Sequence, residues 1–111
     1  MRKARRSDAM DALTAVHLNQ EKWRANNTTY AGTLASVWGG GLGGADKSLE
    51  GYYALSLKSP SATGYTSTAQ PTSKGDQNKD TQCDDFILDI VNGSATKKIS
   101  GTGESDRCWQ R

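Results

Sequence analysis

Cys83 and Cys108 are the side chains best suited to covalent chemistry in this sequence of 111 residues, and they are its only two thiols. Joined to each other they would close a span of 25 residues. In the chain-entropy description such a link stabilises a fold by about 3.5 kcal/mol, and it implies an oxidising compartment. A metal site is the competing use of two thiols. The pair lacks CxxC spacing, however, and the only histidine, His17, stands far away in the sequence. We therefore expect a disulfide, no metal and no cofactor.

Three other stretches raise a chemical question. "WGGGLGG" at residues 38–44 contains Gly39-x-Gly41-x-x-Gly44, the spacing that lets a backbone approach a pyrophosphate. That use needs a strand before it, a helix after it and an acid about 20 residues on. The flanks read as loop, and the position 20 residues past Gly44 is Gly64, so the stretch is expected to be a connection. Asp76, Asn78 and Asp80 alternate like calcium ligands, but Thr81 stands where the loop needs Gly and Ile87 where it needs a bidentate Glu. Lys74, Lys79, Lys97, Lys98, Arg107 and Arg111 would form a basic stripe for phosphates if the fold gathered them. Asp76, Asp80, Asp84, Asp85, Glu104 and Asp106 share the same region and would offset much of that charge. His17 has no nucleophile beside it in sequence, and no catalytic constellation stands out, so an enzyme is not expected. Of the three N-x-[ST] matches, Asn92-Gly93-Ser94 fits a turn better than a glycan acceptor.

The elements that would position these residues follow from periodicity. Ser7 to about Ala25 contains neither Gly nor Pro, and Ala9, Ala12, Leu13, Val16, Gln20 and Trp23 fall on one stripe of a helix. Asp8, Asp11, Glu21 and Lys22 lie off it, Leu18 lies opposite, and Met10 and His17 stand at its border. "GYYALSLKS" alternates, with Tyr53, Leu55 and Leu57 on one face. A second strand is expected around Tyr65 to Gln70, stopped by Pro71. Phe86, Leu88 and Ile90 share a face of a third, Asn92-Gly93 makes the turn, and Ile99 lies on the return strand. The expected fold class is α+β: one amphipathic helix on a four-stranded antiparallel sheet.

Composition bounds the rest. One domain is expected over 1–111, with few branched and aromatic residues for its core. The net charge of +2 is set by Arg2, Lys3, Arg5 and Arg6; the remaining chain carries ten basic and twelve acidic side chains. The sequence as given holds no transmembrane stretch and no signal peptide, so a secreted domain opening on "MRKARR" reads as a truncated chain.

The order of "RRSDAMDALTAVHLNQEKWRANNTTYAGTL", "GYYALSL", "GYTSTAQP", "CDDFILDIVNGSATKKISG" and a closing "CW" resembles a type IV pilin of the type IVa, PilE-like kind, major or minor. The likeness covers nearly the whole chain, least so residues 35–49. It implies that 1–26 is the C-terminal half of the pilin helix, 27–51 a helix-to-sheet loop, 52–100 the sheet and 83–108 the disulfide-bounded region. It further implies a membrane-anchored subunit whose apolar half-helix precedes this stretch, held in the inner membrane with the domain in the periplasm before assembly. The partners implied are other pilin subunits in a helical filament and the assembly machinery. The expected role is a structural pilus subunit for assembly, adhesion and twitching motility, with Met10, His17 and Leu18 as subunit contacts. The alternative is a competence-associated minor pilin that binds DNA; a small secreted enzyme or binding module ranks below both. This stretch by itself is expected to be a soluble monomer that does not form filaments.

Overall fold

A computed structural model describes residues 2–32, 47–48, 50–58, 60–74, 77, 82–92, 94–104 and 108–109, the first four of them as backbone alone. The glycine-rich stretch 38–44 and the alternating Asp76, Asn78 and Asp80 lie outside the described residues.

The chain opens with α1, Arg2–Arg24. No Gly or Pro interrupts it, and Lys22 and Arg24 in its last turn complement the partial negative charge of the helix end. Four strands follow: β1 Tyr53–Lys58, β2 Gly64–Pro71, β3 Phe86–Val91 and β4 Ser94–Ile99. They form one antiparallel meander in the order β1-β2-β3-β4. The result is the expected α+β arrangement, a single helix packed on a four-stranded sheet.

The core lies between α1 and one face of the sheet. Ala9, Ala12, Leu13 and Val16 of the helix are fully buried against Tyr53, Leu55, Tyr65, Ala69, Phe86, Leu88 and Ile90. Tyr53 and Phe86 meet edge to face with centroids 5.7 Å apart, an aromatic contact between β1 and β3 over the small Ala69 of β2. The alternation holds in every inner strand; only β4 is exposed along nearly all its length.

Close approach explains the placement of two glycines. A Cβ on Gly64 would collide with the Ile90 carbonyl oxygen across the β2–β3 pair, and one on Gly101 would collide with the Gln82 carbonyl. β2 runs one residue longer at each end than its alternation suggests, since Gly64 pairs with Val91 and Pro71 with Tyr53. Asn92 sits at φ 52°, the left-handed conformation that a two-residue hairpin turn requires. No helix among the described residues is long and apolar enough to cross a membrane.

Candidate functional site

Cys83 and Cys108 are bonded, with Cα atoms 5.7 Å apart, and both are buried. The bond belongs to a wider strap. The Gly101 amide donates to the Cys83 carbonyl at 3.0 Å, Gly103 to Gln82 at 2.7 Å and Ser100 to Asp85 at 3.1 Å, extending the β3–β4 ladder past Ile99. Asp85 returns a bond from its own amide to the Ser100 hydroxyl at 3.0 Å. Burial, then the adjacent Asp84 charge, pushes the Asp85 carboxyl up from its ordinary range. Trp109 closes the strap: its ring stands edge-on to Phe86 at 5.4 Å, and its Nε1 donates to the Lys98 carbonyl at 3.0 Å.

The described lysines of the expected basic stripe do not converge. Lys97 and Lys98 are consecutive on β4, opposite Leu88 and Ile87, and so serve different faces of the sheet. Lys97 lies 5.5 Å from the centre of the Trp109 ring, while Lys98 pairs with Asp89 at 3.2 Å. Lys74 is held beside β1, donating to the Glu50 carbonyl at 2.6 Å with its ammonium 5.0 Å from the Tyr52 ring centre. Three strand spacings, about 14 Å, separate that edge of the sheet from β4. Lys79, Arg107 and Arg111 lie outside the described residues.

A second basic set, not anticipated from the sequence, lies where α1 ends. Arg24 donates through Nε to the Ala62 carbonyl at 3.1 Å and through a terminal nitrogen to the Asn27 carbonyl at 2.7 Å. The first bond ties its charge to the β1–β2 turn and the second to the segment leaving α1, without neutralising it. Lys22 is exposed on the same last turn, and Lys58 ends β1 opposite Thr66. The turn itself is rigidly built. The Ser61 hydroxyl accepts from the Thr63 and Gly64 amides at 3.2 and 3.1 Å, and the Ser61 carbonyl accepts from Tyr30 at 2.9 Å. Lys22 and Arg24 are legible as helix-end cations, but nothing in the sequence says that Arg24 reaches the β1–β2 turn.

On α1, Met10 is not a surface residue. It is 2% exposed and belongs to the core. With Ala9 and Ala12 on the packed stripe the helix sits low on the sheet, so its buried arc takes in border positions. His17 is half-buried, its Nδ1 3.2 Å from the Tyr65 hydroxyl, and Leu18 is 55% exposed on the free face. Tyr65 packs with its ring tilted at 55° against Tyr30, centroids 4.8 Å apart, and the Tyr30 hydroxyl donates to Glu21 at 3.2 Å. Burial, reinforced by the Glu21 charge and by Tyr30, pushes the Tyr65 phenol well up. Burial first, and then the bond to Glu21, raises the Tyr30 phenol.

Two buried polar residues fix how the chain leaves and rejoins the helix. Gln20 is fully buried and makes a two-way bridge to Ala31, its amide donating to the carbonyl at 3.0 Å and its oxygen accepting from the amide at 2.8 Å. Asp8, assigned from periodicity to the outer surface, is 8% exposed. Its carboxylate accepts from the Ser48 hydroxyl, from the Glu50 amide at 3.0 Å and from the Tyr52 amide at 3.2 Å. It sits on the flank of the stripe opposite Met10, where the segment entering β1 covers it. Among the described residues no three His, Cys, Asp or Glu side chains are grouped to hold a metal ion.

Comparison with known families matches residues 1–87 to the family described as "Type IV minor pilin ComP, DNA uptake sequence receptor". The matched span runs from α1 into the first residues of β3 and includes the β1–β2 turn, Lys22, Arg24, Lys58 and Lys74. A comparison with curated proteins returns no match.

Proposed function

The chain belongs to the type IV minor pilin family, and from that premise we propose that it is a competence-type minor pilin that captures DNA for uptake. The family match is the observation that carries this proposal. It ranks DNA capture above the purely structural role that the resemblance to a pilin put first. Membership in the family implies pilin subunits and the pilus machinery as partners, a pilus-associated position outside the cytoplasm, and a receptor or structural task in place of catalysis.

The physical requirement is local positive charge, because phosphate contacts supply most of non-specific DNA affinity and make it salt-dependent. The chain beyond its first six residues has a slight acidic excess, so binding must depend on where the cations stand. The end of α1 and the β1–β2 turn offer Arg24 and Lys58, with Lys22 exposed on the last helical turn. The β4 flank offers Lys97 and Lys98, the second of them already paired with Asp89. We assign the first contacts to the α1 end. Neutralising Lys22 and Lys58 to Gln should weaken binding to short duplexes and reduce the salt slope by about one unit per lost contact. The same change at Lys97 and Lys98 should have a smaller effect. The reverse ranking would move the DNA face to β4, and no salt-dependent binding by the parent chain would remove the receptor role.

Assembly into a filament, with the adhesion and twitching that follow from it, stands as the second role of the same subunit. It is favoured by one observation, the exposed Leu18 on the free face of α1. Leu18 and the half-buried His17 are our candidates for subunit contacts, tested by Leu18→Glu, which should abolish incorporation into filaments without lowering the stability of the isolated chain.

A further inference from the structure

We propose that the hollow on the outer face of the sheet, at the end of β2 and β3, binds a single neutral sugar ring. The proposal does not rest on DNA capture. The hollow has a volume of about 220 Å³ and is bordered by Ser61, Thr63, Gly64, Thr66, Asp89 and Val91. Gly64, whose Cβ position is taken up by the Ile90 carbonyl, lies at its edge in the row shared with Val91 and Ser94.

The carboxylate that lines it, Asp89, is already paired, and Lys58 opposite Thr66 is the next cation along the row. One oxygen of Asp89 accepts from the Thr66 hydroxyl at 3.0 Å, and the other accepts from Lys98 at 3.2 Å. An anion entering the hollow meets the carboxylate, and a cation meets an acid that already has its counter-ion. What is left over is hydrogen-bonding capacity. A carboxylate has about four lone-pair sites, and an ammonium has three donors; each group has used only part of that number here. Adjacent hydroxyls of a sugar, each both donor and acceptor, match an acceptor and a donor held side by side.

Shape and polarity agree with that ligand. Val91 is 55% exposed, one of two large apolar side chains so exposed among the described residues, and gives the C–H face of a ring a surface to lie on. The volume is below the roughly 300–1,000 Å³ of sites for drug-sized molecules, which limits the occupant to one ring. The Ser61 hydroxyl is committed to the Thr63 and Gly64 amides, so the rim is set before any ligand arrives.

The test is amide-shift mapping of the ¹⁵N-labelled chain, titrated separately with methyl β-galactopyranoside, methyl α-mannopyranoside, methyl β-glucopyranoside and inorganic phosphate. At least one of the three neutral glycosides should give saturable shifts in the millimolar range, confined to residues 63–66 and 89–91. Asp89→Asn, which removes a charged acceptor, should weaken that binding about tenfold or more. Thr66→Val should weaken it less while leaving the amide spectrum of the core unchanged. Absence of a saturable shift with all three glycosides would overturn the proposal, as would equal affinity in Asp89→Asn. Equivalent shifts with phosphate would identify an anion site and also overturn it.

Discussion

Replacing Asp8 with Ala should cost this domain a large share of its stability, although the residue sits on a helix position that periodicity gives to solvent. The substitution removes the acceptor of three donors: the Ser48 hydroxyl and the Glu50 and Tyr52 amides. Ser48 is 1% exposed, so its hydroxyl loses its partner in a dry site, although it also accepts from the Tyr53 amide at 3.1 Å. The other two donors are partly accessible to water. Taking the low end of about 1–3 kcal/mol for each stranded donor gives a loss of about 3 kcal/mol. Domains of this size hold roughly 5–15 kcal/mol in total, and at about 4 °C per kcal/mol the midpoint should fall by about 12 °C. Asp8→Asn retains one acceptor oxygen and should lose about half as much. Urea unfolding followed by circular dichroism measures both, and a double-mutant cycle with Ser48→Ala isolates the shared bond, which should couple by about 0.5–3 kcal/mol. A loss under about 0.5 kcal/mol in Asp8→Ala, typical of a plain surface site, would refute the role of Asp8 as the clamp that sets the entry to β1. Strict additivity in the cycle would refute it too.

The remaining expectations concern the strap and the titrating groups. Thiol titration of the unfolded, unreduced chain should find no free thiol, and reduction of Cys83–Cys108 should destabilise the fold by about 3.5 kcal/mol; two free thiols would contradict the pairing. The Tyr65 and Tyr30 phenols have folded pKa values above their unfolded ones. The native state therefore keeps protons that the unfolded state releases, so stability should fall as the pH rises above about 10. Absorbance titration should show Tyr30 and Tyr65 ionising late, and their ionisation near the ordinary value would count against the Tyr30–Tyr65–Glu21 cluster. The raised Asp85 carboxyl has the same sign in a lower window: its contribution is lost as the pH climbs from the ordinary carboxylate range through the folded value. Asp85→Asn should accordingly be no less stable than the parent at neutral pH and flatter between pH 4 and 7, which parallel urea curves would reveal.

Local rules made the elements legible and left their surroundings obscure. α1, observed as Arg2–Arg24, could be read from Ser7 to about Ala25 because that stretch has no breaker and repeats Ala9, Ala12, Leu13 and Val16 on one stripe. The β3–β4 hairpin followed from alternation on both sides of Asn92-Gly93. A helical wheel gives a direction but not what covers it: Asp8, read off the stripe, and Met10, read at its border, are both buried. The same blindness affects the lysines. Lys97 and Lys98 are adjacent in sequence but serve opposite faces, while Arg24 reaches the turn at Ala62 across 38 residues. The preference for a structural role over DNA capture leaned on the slight acidic excess beyond residue 6 and on the acids beside the lysines in sequence, both of which average the surface. Phosphate binding depends on a few cations placed together, and only the family match supplied that distinction.

Selection of duplexes from a random library on the full chain, followed by anisotropy titration of the enriched duplex against its permuted sequence at several salt concentrations, bears most directly on DNA capture. Repeating it with Arg2, Lys3 and Arg5 changed to Gln separates the folded surface from the basic start of the chain. A receptor should prefer the enriched duplex, with each mismatched base pair costing about 1–3 kcal/mol, and that preference should survive the loss of the N-terminal charges. Equal affinity for all duplexes, disappearing when those three residues are neutralised, would contradict it.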